Sequence, residues 1–166
     1  MIEKIVSGGQ TGVDQAALDT AVQFDIAVGG WCPKGGLDEN NVSILERHPA
    51  LVEATTEIPD ERTKLNVRDS DGTLIIVPSW PLSDNIKDGT RLTIEEAQRL
   101  GKSHLIADIA DKELEIEKIL NWCERCNIQV LNIGGPRESS CPGIYQNSCE
   151  LLWELFSALR PKLKLS

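Results

Sequence analysis

Long apolar runs and positive charge are both scarce in this 166-residue sequence. The longest apolar runs, such as residues 74–77, are far shorter than the roughly 20 residues needed to cross a bilayer. Lys and Arg number 17 against 26 Asp and Glu, which gives a net charge of −9. This sign disfavours duplex DNA and anionic membranes as partners. We therefore expect neither nucleic acid nor a membrane as a partner, and any anionic ligand must be held by local cations.

Histidine and cysteine are also few, with two and five residues. An odd number of cysteines suits free thiols, and the N-terminal MIEKIVSGGQ lacks the apolar block of a signal peptide, so we expect a cytoplasmic protein. Cys123 and Cys126 are spaced like half a zinc site, but no second close pair is present. The positions of His48 and His104 argue against a histidine triad. We predict that the protein supplies no metal ligands.

Apolar runs and glycine-rich turns alternate along the chain as strand, loop and helix. Strands are predicted at 2–6, 26–30 (expected to be buried), 73–77, 104–107 and 128–133, and helices at 13–24, 61–70, 88–101, 111–126 and up to Leu159. Pro59 and Asp60 are expected to open one helix and Pro161 to end the last; 31–41 is predicted to be a loop, and 42–58 receives no assignment. The alternation predicts one domain, 1–166, with a Rossmann-like, doubly wound sheet of about five mostly parallel strands and helices on both faces.

Four segments that follow predicted strands combine small residues with polar or cationic ones. They are 7–12 (SGGQTG), 29–35 (GGWCPKG), 88–91 (DGTR) and 134–137 (GGPR). In such sheets ligands bind at the carboxyl ends of the strands, where glycine permits close approach and helix N-termini favour anions. Lys34, Arg91 and Arg137 would add positive charge. Any one loop is equally well explained as a tight turn, but together they predict an anion site at one sheet edge.

Aromatic residues make up only 4% of the chain, yet Trp31 and Trp80 both follow predicted strand ends. A planar heterocycle can stack on either ring, and a cover for the sheet edge or an oligomer contact explains them equally well. Trp122 and Trp153 lie on predicted helices, where they fit the core or a subunit interface.

Five ordered motifs resemble the molybdenum cofactor carrier family, a circularly permuted YpsA-like branch of the SLOG group of Rossmann-like proteins. They are SGGQTGVDQAALD, GGWCPKG, NVRDSDGTLI, DGTRLTIEEA and GGPRESSCPGIY, and they extend from Ser7 to Tyr145. The resemblance implies a homo-oligomer, a dimer or tetramer, and a ligand that is molybdenum cofactor or another pterin or nucleotide phosphate. That cofactor binds its metal through its own dithiolene, so the resemblance implies no metal ligands from the protein.

A more distant resemblance, to the LOG-type phosphoribohydrolases of the same group, implies roles for single residues. Arg62 matches the arginine of that branch, Asn66 a downstream helical position, and Gly89 with Thr90 its phosphate-holding pair. Thr93 stands where that branch has a catalytic glutamate. Because a threonine hydroxyl does not ionise near neutral pH, we do not expect hydrolysis by that route.

Three functional hypotheses follow. The first is a carrier or store that binds a phosphorylated heterocycle at the carboxyl edge of the sheet. The second is a nucleotide-processing enzyme with Asp14 or Glu138 as acid or base, or a sensor of a nucleotide-derived ligand. The third is a scaffold whose loops bind nothing. The candidate binding residues are Gly8, Gly9, Gln10, Thr11, Gly12, Trp31, Lys34, Arg62, Asn66, Gly89, Thr90, Arg91, Thr93, Gly135 and Arg137.

Overall fold

Parallel strands dominate the computed structural model, which describes residues 1–58 and 60–160. The strands are β1 (Lys4–Val6), β2 (Ala27–Gly29), β3 (Trp31–Cys32), β4 (Val52–Glu53), β5 (Gly72–Val77), β6 (Ser103–Asp108) and β7 (Val130–Gly134). Five of them form one sheet in the order β2–β1–β7–β5–β6, with every pair parallel. The short strands β3 and β4 form a separate parallel pair.

Six α-helices alternate with the strands. They are α1 (Val13–Gln23), α2 (Ile44–Arg47), α3 (Glu61–Arg68), α4 (Thr90–Arg99), α5 (Lys112–Arg125) and α6 (Ile144–Leu159), and a 3₁₀ turn (Ile109–Asp111) precedes α5. In the described residues, no helix is both long and apolar enough to cross a membrane.

The inner strand β5 is buried along its whole length. Leu74 and Ile76 belong to the larger core, to which α1, α5 and α6 contribute, whereas Ile75 and Val77 pack with Ile94 of α4. Because successive side chains of a strand point to opposite faces, this division places helices on both faces of the sheet. The predicted doubly wound α/β class is therefore confirmed.

Two local predictions are wrong and one gap is filled. Residues 26–30 do not form a buried strand, because β2 lies at the sheet edge with Ala27 exposed. Residues 31–32, predicted to lie in a loop, are paired with β4. The unassigned segment 42–58 contains α2 and β4. Pro59 and Pro161, for which helix-boundary roles were predicted, lie outside the described residues.

Because the five strands run in one direction, their carboxyl ends share one edge of the sheet. β1, β7 and β5 are neighbours in its centre, and the loops that follow them begin side by side at this edge. Three of the four glycine-containing segments are thus brought together by the topology.

Candidate functional site

Two connected cavities lie at the carboxyl edge of the sheet. The inner cleft is lined by Gly8, Gln10, Asp14, Arg62, Thr63, Asn66, Asp88, Gly89, Thr93, Asn132, Ile133, Gly134, Gly135 and Arg137. The outer groove is lined by Gln10, Pro33, Lys34, Leu37, Asp38, Glu39, Thr56, Glu57, Ile58, Arg62 and Arg137. Gln10, Arg62 and Arg137 therefore border both cavities. Each of the four glycine-containing segments contributes residues to one cavity or the other.

The loop after β1 packs closely against the loop after β7. The hydroxyl of Ser7 donates a hydrogen bond to the carbonyl of Ile133 over 2.6 Å. Gly12 has a φ of 80°, and a Cβ there would lie 2.3 Å from the carbonyl oxygen of Pro136. Both the left-handed backbone and the close approach require glycine. The start of α1 is thereby fixed beside the segment 134–137.

Arg62 lies across Gly8 and fills much of the inner cleft. A Cβ on Gly8 would be 2.0 Å from Nη1 of Arg62 and 2.9 Å from Oδ2 of Asp14. The guanidinium and that carboxylate form a 3.4 Å ion pair, with their side chains only 12% and 10% exposed. The absence of a side chain at residue 8 therefore gives Arg62 its position.

Asp14 is a buried carboxyl group with one oxygen bound and one open. Oδ2 accepts hydrogen bonds from the backbone N–H of Gln10 at 3.2 Å and from Arg62. Oδ1 accepts none within the ranges 1–58 and 60–160, and it lies 3.8 Å from where a Cβ on Gly134 would be. Burial raises the pKa of Asp14, although Arg62 and the Gln10 N–H oppose the rise. A carboxyl group of this kind, in a cleft, is a candidate proton donor or acceptor.

Several hydrogen-bond donors around the two cavities have no acceptor in the described part of the chain. Oε1 of Gln10 accepts from the N–H groups of Thr11 and Glu39, at 3.2 and 2.7 Å, whereas its Nε2 has no acceptor. The same holds for the guanidinium of Arg137 and for the backbone N–H groups of Gly8 and Gly89. Because Gly89 immediately precedes α4, the positive end of that helix is also directed to the cleft.

The nearby acids are engaged with protein donors. Asp88 accepts hydrogen bonds from the N–H and hydroxyl of Thr90 at 3.1 and 2.5 Å and from the N–H of Arg137 at 2.9 Å. Glu39 accepts from the hydroxyls of Thr11 and Ser139. These bonds lower the pKa of Glu39, although partial burial opposes the effect. Both carboxylates hold loops together, and the unengaged groups around the cavities are mainly donors.

The structure places nine of the predicted binding residues on the two cavities. Gly8, Gln10, Arg62, Asn66, Gly89, Thr93, Gly135 and Arg137 line the inner cleft, and Lys34 lines the outer groove. Asn66 already uses its amide on the backbone of Trp31, accepting from its N–H at 2.8 Å and donating to its carbonyl at 3.0 Å. The hydroxyl of Thr93 donates to the carbonyl of Gly89 at 2.9 Å.

The other six predicted residues line neither cavity, and their binding roles remain predictions. Gly9, Thr11, Gly12, Trp31, Thr90 and Arg91 make local contacts instead. The guanidinium of Arg91 donates to the carbonyls of Leu82 and Ser83 at 2.9 and 3.3 Å. The indole N–H of Trp31 donates to Asp69 at 2.9 Å. Trp80 is also absent from both linings.

Glu138, the second candidate acid or base, lies at the start of α6. Its carboxylate accepts the backbone N–H groups of Gly143 at 2.5 Å and Tyr145 at 2.9 Å. These bonds satisfy donors at a helix N-terminus, so the geometry gives Glu138 a capping role. Asp14 is the better placed of the two candidates.

The sequence reasoning missed Thr63, Asn132, Leu37 and Ile58. Asn132 interrupts the apolar run of β7, and a polar residue in a buried strand was a usable signal. The two aliphatic residues lie in segments without clear periodicity, so no signal pointed to them. Across the described ranges, no group of three or more His, Cys, Asp or Glu side chains is arranged to hold a metal ion.

A parallel sheet with helices on both faces and a polar cleft at its carboxyl edge defines a Rossmann-like α/β protein. Residues 5–156 match the model of the circularly permutated YpsA SLOG family, and the chain belongs to this family. The crystal structure of a protein described as a "putative molybdenum carrier protein" from Syntrophus aciditrophicus SB is similar, with a TM-score of 0.85. The two sequences are 43% identical over 93% of this chain and 94% of that one. A comparison with curated proteins finds no match.

Proposed function

We propose that the protein binds a phosphorylated small molecule whose anionic group enters the inner cleft. The observation that carries this proposal is the group of unengaged donors on Gly8, Gln10, Gly89 and Arg137. Unsatisfied donors at a buried site are costly, and a phosphate oxygen is an acceptor that suits them. Their concentration stands out in a chain with a net charge of −9.

Arg62 can join these donors without a large rearrangement. Its contact with Asp14 is a single bond of 3.4 Å, so most of its N–H groups remain available to a ligand. Guanidinium groups bind phosphate through paired, charge-assisted hydrogen bonds. Arg62 and Arg137 would therefore supply the full positive charges, and the glycine N–H groups would supply close backbone contacts.

We further propose that the ligand is a pterin phosphate such as molybdenum cofactor, or a nucleotide, which the protein carries or stores. Family membership and the description of the similar Syntrophus protein support this choice. The donor set fits the phosphate of such a ligand. The cofactor would bring its metal bound to its own dithiolene, so the fit requires no metal ligands from the chain.

Thermal shift and calorimetric titration with inorganic phosphate, GMP and a pterin phosphate test the proposal. At about 100 times Kd a ligand adds about 2.7 kcal/mol to the free energy of unfolding, which raises the Tm of a chain of this size by several degrees. Arg137→Ala should weaken binding about tenfold or more. Arg125→Ala, which removes an exposed charge from α5, is the control. If none of the compounds raises Tm, or if Arg137→Ala binds like wild type, the proposal is wrong.

A nucleotide-processing enzyme remains a second candidate because of Asp14. Its Oδ1 is open to the cleft beside Thr93, whose own position lacks a carboxylate. Asp14 could take a proton from water as water attacks the sugar carbon and the glycosidic bond to the base breaks, with the base leaving protonated. Free base released from nucleoside monophosphates, and lost in Asp14→Asn but not in Glu138→Gln, would establish this reaction. No product across a nucleotide panel would exclude it.

Homo-oligomerisation also remains a proposal. Trp122 lies in the core, 4% exposed, with its indole N–H bonded to the hydroxyl of Ser103 at 2.8 Å. Trp153 is 52% exposed on α6 and packs edge-on against Phe24, with ring centroids 4.8 Å apart. Of the two tryptophans, only Trp153 is available to a second copy. Light scattering that gives the mass of one chain at micromolar concentration would contradict an oligomer.

A further inference from the structure

We propose that the outer groove holds the heterocyclic ring of the ligand between the side chains of Leu37 and Ile58. This inference rests on the proposed function, because it assumes that the phosphate of the same ligand occupies the inner cleft. It replaces the tryptophan stacking expected from the sequence with contacts to two aliphatic residues.

Leu37 and Ile58 are large apolar side chains that are unusually open to water. They are 45% and 64% exposed, and both line the outer groove although 21 positions of sequence separate them. The two segments are joined by an ion pair between Lys34 and Glu57, whose charged atoms lie 3.8 Å apart. The groove thus has an apolar surface on each of two connected segments, and a flat ring would cover both.

The outer groove is continuous with the anion site. Gln10, Arg62 and Arg137 border both cavities, so a phosphate bound to them lies at the mouth of the groove. The inner cleft has a volume of about 30 Å³ and the outer groove about 240 Å³. Their sum approaches the roughly 300–1,000 Å³ of pockets that hold small molecules. The inner cleft admits only a small group, which leaves the groove for the ring.

No tryptophan competes for this role. Trp31 uses its indole N–H on Asp69, and neither Trp31 nor Trp80 lines the outer groove. Apolar side chains cover the faces of a planar ring by dispersion and burial of apolar surface, without the specific geometry of aromatic stacking. The ligand class that fits both cavities is a planar heterocycle joined to a phosphate by a short linker.

The test compares two ligands that share a phosphate and differ in the ring. GMP carries guanine, which has the same 2-amino-4-oxopyrimidine unit as a pterin, and ribose 5-phosphate lacks the base. Wild-type protein should bind GMP about tenfold or more tightly than ribose 5-phosphate in calorimetric titrations. In the Leu37→Ser/Ile58→Ser variant that preference should be lost, with the affinity for ribose 5-phosphate unchanged.

Two further variants complete the design. Leu37→Met/Ile58→Leu keeps the apolar surface and should retain the preference. Leu114→Ser changes a leucine on α5 that is 53% exposed and lies outside both cavities, and it should behave as wild type. If the serine double variant keeps the preference, or loses affinity equally for both ligands, the ring is held elsewhere. If wild type binds both ligands equally, the inference is wrong, and if it binds neither, the proposed function is wrong as well.

Discussion

Gly8→Ala tests the inner cleft without removing a charged group. The new methyl would lie 2.0 Å from Nη1 of Arg62 and 2.9 Å from Oδ2 of Asp14, so the guanidinium must leave its position. The nearest atom is the end of a flexible side chain, and Gly8 is not among the glycines with positive φ. The backbone should therefore accept alanine, and the effect should fall on the binding of an anion.

The size of the effect follows from the contacts that Arg62 would lose. A hydrogen bond to a charged group contributes about 1.5–3 kcal/mol, which corresponds to a Kd for phosphate weaker by about 10- to 150-fold. The free energy of unfolding should change by about 1 kcal/mol or less, because the pair with Asp14 is a single long contact. Gly12→Ala is the matched control, because its methyl would meet the backbone carbonyl of Pro136 at 2.3 Å with φ at 80°. That variant should lose about 2 kcal/mol or more of stability.

Calorimetric titration with inorganic phosphate and urea denaturation of both variants measure the two effects separately. The reasoning would be refuted if Gly8→Ala bound phosphate as tightly as wild type. It would also be refuted if Gly8→Ala unfolded as easily as Gly12→Ala, since the methyl would then disturb the backbone and not Arg62.

Three further predictions concern single carboxylates. Burial raises the pKa of Asp14 despite Arg62, so the stability linked to its protonated form is lost as pH rises through the raised pKa; in urea denaturation, Asp14→Asn should gain on wild type between about pH 4 and pH 8, and a constant difference would contradict this. Burial opposes but hydrogen bonds from His48, Arg47 and Tyr145 lower the pKa of Asp19 below its ordinary 3.8, so its contribution is present above that value and lost as pH falls. Asp19→Asn should therefore destabilise by about 2–3 kcal/mol near neutral pH and by less in acid, and equal losses at both would count against the network. Glu138→Ala should lower the free energy of unfolding by about 1 kcal/mol through the lost cap of α6, and a changed phosphate affinity would show that Glu138 belongs to the site.

The fold class could be predicted because local patterns and the buried sheet agree. The run in β5 is apolar on both faces, as expected for a strand covered by helices on both sides. The edge position of β2 could not be predicted, since an apolar run of three residues does not reveal its neighbours. The pairing of β3 with β4 depends on backbone contacts between distant segments, which composition does not encode.

The site was predictable at the level of loops and less so at the level of side chains. Glycines and cations after strand ends indicated the right edge of the sheet, and Gly8, Arg62 and Arg137 line the cleft there. Arg91 has the same local sequence signal, but carbonyls of the 82–84 loop engage it. Whether a cation faces a cleft depends on which acceptors the tertiary structure brings to it, and the sequence does not contain that information directly.

An amide and arginine NMR titration with inorganic phosphate tests the central claim most directly. We predict saturable shifts confined to the backbone N–H groups of Gly8 and Gly89 and the side-chain signals of Gln10, Arg62 and Arg137. Shifts located away from these residues, or no saturable shift at all, would contradict an anion site in the inner cleft.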